Sequence, residues 1–315
     1  MSEIKAGVAA ILVNWNSSQH ALRCAKSLRQ SLSDRDLEII IVDNDSGPAD
    51  RLLLTRNKGF LLLEAGANLG FAAGCNMGVA TSGNSYLLFA NPDLVAADDG
   101  LEQMAAWLDR HPEAAGAAGV LMDSRGQPDV TFMIRRLPTL WSVLRESLFL
   151  NRMFSPAGKT RRWKAAIARG EAMAVEQPPG ACLLVRRSVF DRIGGFDASF
   201  YPAWFDDVDL CRRLKDAGEQ LFMVPAARFW HEGHASLEGL SWSDFLVLFH
   251  NNLRRYFEKH HPGWRAWAVR FTVCLGMLLR IALIPIVWDR RAGSRREAAV
   301  SYSRITANLC RKITA

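Results

Sequence analysis

Three short apolar runs, each closed by a cluster of polar turn residues, restrict the first hundred residues of this chain to one kind of architecture. Val8 to Val13 ends in Asn14-Trp15-Asn16-Ser17, Leu37 to Val42 in Asp43-Asn44-Asp45-Ser46-Gly47-Pro48, and Tyr86 to Ala90 in Asn91-Pro92-Asp93. Continuous apolar runs of strand length are strands covered on both faces. Between them lie helical patterns, one through Ala21, Leu22, Ala25 and Leu28 and one opened by Asp98-Asp99 and running to about Arg110, with a further strand expected at Phe60 to Leu63. This alternation predicts an α/β domain with a doubly wound, mainly parallel sheet. Ligands of such sheets bind beyond the carboxyl ends of the strands, where the three polar clusters fall.

The usual phosphate-binding glycine fingerprints are absent. No G-x-G-x-x-G follows Val13 and no G-x-x-x-x-G-K-[ST] occurs, which argues against a dinucleotide dehydrogenase and a phosphate-loop ATPase. Asp43 stands instead where a base imide or a ribose hydroxyl could be held, with a turn-capping role as the alternative. Gly70, Gly74 and Gly78 recur every four residues and so share one helix face, free to approach either a ligand or the sheet. Asn68 and Asn76 add donors and acceptors that packing alone does not require. Asp93, held by Pro92, suits a hard cation such as Mg²⁺ or Mn²⁺, or simply closes an Asn-Pro-Asp turn.

Phe205-Asp206-Asp207-Val208-Asp209-Leu210-Cys211 reads as a helix start. Leu210, Cys211 and Leu214 share a face, Arg212, Arg213 and Lys215 come late, and Ala217-Gly218 supplies the stop. Three carboxylates at the positive end of the dipole are stabilised as anions. They can accept a proton, hold a cation or merely cap the helix.

The six cysteines are scattered without a C-x-x-C pair, so they read as reduced packing residues. The N-terminus shows no basic n-region before its first apolar run, and the catalytic part is expected in the cytoplasm. Charge is unevenly spread. Residues 251–315 carry 13 Lys and Arg against 3 Asp and Glu, leaving 26 against 29 for residues 1–250. These basic residues alternate with Trp264, Trp267 and Phe271, which fits an anionic membrane surface better than nucleic acid. The apolar run from Phe271 to Trp288 is interrupted by Arg280 and Pro285, so a membrane-surface helix pair is expected rather than a span. The alternatives are helices packed on the protein's own core or on a second subunit as a homodimer. Residues 135–170, with Arg135, Arg136, Trp141, Arg161, Arg162 and Trp163, read as a basic lid or acceptor-binding flap, or as a solvated loop.

Taken together, N-W-N, V-D-N-D-S, N-L-G-F-A-A-G-C-N-M-G, F-A-N-P-D, P-G-A-C-L-L-V-R-R-S-V-F-D-R-I-G-G-F-D-A-S-F, F-D-D-V-D-L-C-R-R-L-K-D-A-G and W-H-E-G-H-A-S resemble, in order, the signature of inverting family-2 glycosyltransferases, closest to the rhamnosyltransferase-like branch. The resemblance spans about residues 6 to 260. It implies a GT-A fold, placed over residues 1–240, while from Trp242 onward the pattern itself turns helical and amphipathic, a C-terminal extension over 241–315. It also implies a nucleoside-diphosphate sugar donor and a glycan or polyprenyl-diphosphate-linked glycan acceptor, with no nucleic-acid partner. On the nucleotide side it implies Asn14, Asn16, Asp43, Asp45, Asn68, Gly70, Gly74, Asn76 and Asn91. Asp93 stands at the metal-binding member of the family's D-x-D position, with Asn91 where the first Asp often is, and His231 matches a histidine that can complete the metal site.

Asp207 matches the family's catalytic base and Asp206 its acidic neighbour, whereas Asp209 is expected to cap or to pair with Arg212 or Arg213. Gly180, Ala181, Trp204 and His234 fall on the sugar and acceptor side. The implied reaction moves rhamnose from dTDP-rhamnose to a lipid-linked or cell-surface glycan, on the inner face of the cytoplasmic membrane. A UDP-hexose donor or a catalytically silent scaffold subunit is the rival reading.

Overall fold

The computed structural model describes residues 5–32, 34–150, 157–231, 240–286 and 294–310. The chain divides into two compact units, Met1–Leu137 with Ala157–Glu238, and Pro138–Pro156 with Gly239–Ala315.

The first unit is built on one sheet of nine strands. Its first half runs β1 (Val8–Asn14), α1 (Ser18–Gln30), β2 (Leu37–Asp43), α2 (Pro48–Arg56), β3 (Leu61–Glu64), α3 (Gly70–Val79) and β4 (Tyr86–Ala90). Every residue of β1 and β4 is buried, as their unbroken apolar sequences require. β1 pairs in parallel with both β2 and β4, and β2 with β3, so the carboxyl ends of these strands share one edge. α1 buries Ala21, Cys24, Ala25 and Leu28, the periodic face of its sequence.

The second half adds β5 (Leu94–Ala96), α4 (Gly100–Arg110), β6 (Ala114–Met122) and α5 (Val130–Met133). After them come α7 (Ala157–Arg169), β7 (Met173–Val175), β8 (Cys182–Arg186), α8 (Arg187–Arg192), α9 (Asp206–Asp216) and β9 (Gln220–His231), α6 belonging to the other unit. The strand order is β3-β2-β1-β4-β8-β6-β9-β5, with β7 also on β9. Here the sheet is mixed, because β8 runs antiparallel to β4 and β6, and β9 is parallel to β6 but antiparallel to β5 and β7. The reversal of β8 sets its first residues beside the last residues of β4, Cys182 facing Ala90.

The second unit is helical: α6 (Leu140–Ser147), α10 (Trp242–His260), α11 (Gly263–Leu283) and α12 (Arg295–Cys310). α6 starts in a capping box between Thr139 and Ser142, and the Ser241 hydroxyl caps α10 by accepting from the Asp244 N–H. α11 packs on α6, α10 and α12 through Ala266, Val269, Val273, Gly276 and Met277. It is the one helix among the described residues long and apolar enough to cross a membrane by length and composition, with mean hydropathy 1.6, although a third of that window is buried by its neighbours. Residues 135–170 are shared between the units: residues up to Leu137 and α7 belong to the first, α6 to the second, and 151–156 lie outside the described residues. Trp288 also lies outside them.

Candidate active site

At the parallel edge the ends of β1 and β2 form a closed polar network. The Asn14 amide, fully buried, donates to Asp43 Oδ1 at 2.9 Å, Ser46 Oγ at 3.0 Å and Ser18 Oγ at 3.2 Å, and its carbonyl accepts from Ser17 Oγ at 3.1 Å. Asp43 is also buried and accepts from the Ser46 N–H at 3.2 Å. A carboxylate offers about four lone-pair sites, so Asp43 keeps acceptor capacity for a ligand, whereas Asn14 is consumed in holding it. Asn16 and Asp45 are exposed on the adjoining loops at φ 51° and 62°, a left-handed conformation in which Asn and Asp are the best tolerated side-chain residues. Asn16 Oδ1 accepts from the Gly47 N–H at 2.7 Å, which ties the two loops together.

The glycine-rich helix α3 separates into two functions. Gly74 faces the sheet, where a Cβ would lie 3.0 Å from both methyl carbons of Val13, so the glycine lets α3 pack closely on β1. Asn76 donates to Phe196 O at 2.8 Å and accepts from the Phe196 N–H at 3.0 Å, clamping a loop 120 residues away. Gly70, by contrast, sits at the open end of α3 at φ 81°, with Pro202 O 2.7 Å from where a Cβ would be. Asn68 Oδ1 accepts from Asn44 Nδ2 and from the Gly70 N–H, both at 3.0 Å, and Asn44 Oδ1 accepts from the Leu69 N–H at 2.8 Å. Asn44 is thus a site residue the sequence reading passed over, although it stands inside the Asp43-to-Pro48 cluster.

Beyond β4, Asp93 is buried with its Oδ1 3.4 Å from His231 Nε2, and Asn91 Nδ2 is 3.4 Å from that same nitrogen. Burial alone would raise the Asp93 carboxyl, but the adjacent His231 imidazole outweighs it and holds the group below the ordinary carboxylate value. Asp93 Oδ1 is out of contact with water and accepts no hydrogen bond. Phe132, from α5, stacks on the His231 ring with centroids 5.3 Å apart and planes 16° apart, and the Arg135 guanidinium lies 4.6 Å from the Phe132 centroid. No periodicity or motif singles out Phe132. Only the return of α5 toward the end of β9 makes it part of the site. His234 lies outside the described residues.

The acids of α9 occupy a different environment. Asp207 is half-buried. Its Oδ2 accepts from the Gly180 N–H at 3.1 Å and its Oδ1 from the Val208 N–H at 2.8 Å. A Cβ on Gly180 would stand 3.2 Å from that of Asp207, so glycine is what admits the carboxylate to this backbone. Asp206 is buried, accepts from the Asp207 N–H through Oδ1 at 3.0 Å, and has no partner for Oδ2. Burial, and then the Asp207 charge beside it, push Asp206 up to about 8. Asp209, fully buried, pairs with Arg213 at 2.8 Å and is structural. Trp204 and Phe205 enter α9 at φ 69° and 70°. Such strain in bulky residues costs on the order of 1–3 kcal/mol each and gathers at functional sites.

One short piece of backbone joins the two acid groups. Gly180 donates to Asp207, and the next residue, Ala181, accepts from the Asn91 N–H at 3.0 Å through its carbonyl. Asp207, Gly180, Ala181, Asn91, His231 and Asp93 therefore form one contiguous set at the strand ends. Four cysteines around it, Cys24, Cys75, Cys182 and Cys211, are buried, with thiols held far above their usual range by burial. They are inert packing groups.

A family model described as glycosyl transferase family 2 matches residues 9–194. The chain is 26% identical over 303 residues to the N-acetylglucosaminyl-diphospho-decaprenol L-rhamnosyltransferase of Mycobacterium tuberculosis, covering 91% of this chain and 95% of that protein. It is 27% identical to the rhamnosyltransferase WbbL of Escherichia coli, covering 66% of this chain and 78% of that one. The mannosyltransferase PcManGT from Pyrobaculum calidifontis, solved in complex with GDP-Man and Mn²⁺, superposes with a TM-score of 0.57 at 15% identity, covering 96% of this chain and 86% of its own. Motif order, strand-end site, fold likeness and family match agree, and the chain belongs to glycosyltransferase family 2, an enzyme of the GT-A fold.

Proposed function

We propose that this enzyme transfers a deoxyhexose, rhamnose, from dTDP-rhamnose to a lipid-linked glycan with inversion at the anomeric carbon, working as a peripheral protein at the inner face of the cytoplasmic membrane. The observation that carries the reading is the contiguous set running from Asp207 through Gly180 and Ala181 to Asp93 and His231. The two relatives described above are named as rhamnosyltransferases, which supports the choice of sugar.

In a single displacement the acceptor hydroxyl oxygen bonds to the anomeric carbon while the bond from that carbon to the diphosphate oxygen breaks, its electron pair leaving with the nucleotide. The hydroxyl proton passes to Asp207. That carboxylate is half-exposed, and both its oxygens retain a lone pair beside their backbone donors. The Gly180 and Val208 N–H groups hold this carboxylate in place to receive the proton. Asp206, raised to about 8, stays protonated at neutral pH and spares the site a second negative charge.

Asp93 and His231 would hold a divalent cation. The orphaned, buried Asp93 Oδ1 beside His231 Nε2 fits a pair of protein ligands whose remaining positions are filled by phosphates and water. When bound, such an ion neutralises charge building on the leaving diphosphate. Phe132 keeps the imidazole plane in place for that purpose. Asp43 would accept from the nucleoside, supported by Asn14.

The reading is tested by offering dTDP-, UDP- and GDP-sugars with a lipid-linked acceptor, with and without chelator, and determining the anomeric configuration of the product. Transfer from dTDP-rhamnose with inversion and loss on chelation is expected. Transfer from a UDP-hexose alone would replace the donor, and chelator-resistant transfer would remove the cation role from Asp93 and His231. No turnover and no stabilisation by any nucleotide would favour a silent scaffold.

A further inference from the structure

We infer that the exposed face of α11 is a docking surface for an anionic bilayer, with the helix lying in the head-group plane rather than crossing it. The helix has two unlike sides. Trp264, Trp267, Phe271, Leu275 and Leu278 follow one another at intervals of three or four residues and so share one face, and Ile286 lies just past the end of the helix. Trp264 is 61%, Trp267 66%, Phe271 57%, Leu278 53% and Ile286 76% exposed. An apolar strip of this length is more than the scattered exposed hydrophobics of an ordinary surface, and marks an interaction site.

Two of the three charges that α11 carries are directed away from the strip. Arg270 donates through Nε and Nη2 to Leu309 O, at 3.0 and 2.6 Å. Arg280 donates to Ser147 O at 2.8 Å and lies over the Phe149 ring at 4.3 Å. Both arginines are thereby spent on α12 and on the end of α6, which leaves Arg265, at the start of the helix, as the exposed charge of α11. A crossing helix would take those arginines and three packed neighbours into hydrocarbon with it. A helix lying flat immerses only its apolar face.

Charge identifies the occupant. Arg265 lies over the Trp264 ring at 5.3 Å, and the exposed Lys259, Arg295 and Arg296 flank α11 in the chain, within a region of 13 basic and 3 acidic residues. A twofold pairing with a second copy would set this basic rim against itself, whereas an anionic lipid surface neutralises it. Tryptophans beside arginines are the composition of an interfacial helix. For a transferase whose acceptor is lipid-linked, a step that rests on the proposed function, such a surface confines the enzyme to the plane of its acceptor.

The full-length protein is sedimented with vesicles of phosphatidylcholine alone and of phosphatidylcholine with phosphatidylglycerol, at about 0.1 M salt, where surface charges still act over about a Debye length. Binding to the anionic vesicles is expected, with about a tenfold or greater loss in a Trp264→Ser/Trp267→Ser/Phe271→Ser variant, whose side chains are exposed and leave the helix core intact. A Lys259→Glu/Arg265→Glu variant should lose the preference for anionic lipid. Thermal stabilisation by dTDP should be unchanged in both. Wild-type protein that ignores both vesicle types overturns the inference, as does a triple variant that binds as well as wild type. A wild-type dimer that the triple variant dissolves, without vesicle binding, assigns the face to a second copy, and resistance to alkaline extraction assigns it to a span. Absence of any nucleotide stabilisation would fault the transferase reading and leave the vesicle result standing.

Discussion

The two sides of the site bury polar groups in opposite ways. At the ends of β1 and β2, Asn14, Asp43 and Ser46 bond to one another, and the Asn44 side chain is satisfied by Asn68 and the Leu69 N–H. At the ends of β4 and β9 and the start of α9, Asp93 Oδ1 and Asp206 Oδ2 are equally secluded and have no hydrogen-bond partner. A buried polar atom without a partner costs about 1–3 kcal/mol, so it persists where a ligand or a proton answers it. On the proposed function, the satisfied network would be scaffold for a nucleotide, and the unsatisfied pair would answer a cation and a proton.

That contrast can be broken by substitution, beginning with the largest effect. Asp207→Asn removes the proton acceptor and should lower turnover by about 10²- to 10⁴-fold, while thermal stability and nucleotide binding stay near wild type. A loss of folding with no specific loss of turnover would move Asp207 to the scaffold side.

Asp93→Asn comes next. Binding of Mn²⁺ with nucleotide, followed by electron paramagnetic resonance, should weaken by more than the roughly 10- to 100-fold typical of residues that merely support a metal ligand. Phe132→Leu should fall within that range, with Phe132→Tyr restoring it. Unchanged Mn²⁺ affinity in Asp93→Asn would contradict the cation assignment.

Asn14→Ala should act on stability instead. It removes the donor to the buried Asp43 Oδ1, costing about 1–3 kcal/mol in denaturant unfolding. A neutral result would show the network to be less closed than its distances suggest.

The smallest effect at neutral pH belongs to Asp206→Asn, which matches the protonated acid in shape. The folded carboxyl is raised to about 8, so the folded protein holds a proton that the unfolded chain releases at the ordinary carboxylate value. Its favourable contribution is therefore complete below the unfolded value and is lost as pH rises through the folded one. Unfolding followed across that window should show wild-type stability declining with pH and a flatter profile for Asp206→Asn. Parallel profiles would return Asp206 to an ordinary capping role.

Legibility in the sequence differed between these regions for physical reasons. β1, β2 and β4 announce themselves because strands covered on both faces need continuous apolar runs, and Tyr86–Ala90 coincides with the expected span. β6, by contrast, opens with six residues that are all Ala or Gly, and no expectation covered it. At Gly119 the Phe229 ring already fills the space, coming within 2.3 Å of where a Cβ would be. β9 alternates buried and exposed residues along much of its length and was not expected either. In α3, Gly74 and Asn76 lie in a motif that reads as ligand-binding as a block, and only the structure shows that one packs on Val13 and the other clamps Phe196.

The sequence by itself determined the strand-end chemistry of the sheet, the acidic entrance of α9 and the basic, aromatic character of the C-terminal region. These follow from local periodicity, from turn chemistry and from the helix dipole, which act over a few residues. Only the tertiary structure decided that Asp207 rests on Gly180, that Phe132 backs His231, and that Arg280 turns from the apolar face of α11 to Ser147, 133 residues earlier. Those contacts depend on chain closure and on which faces pack together. No short stretch of residues encodes that.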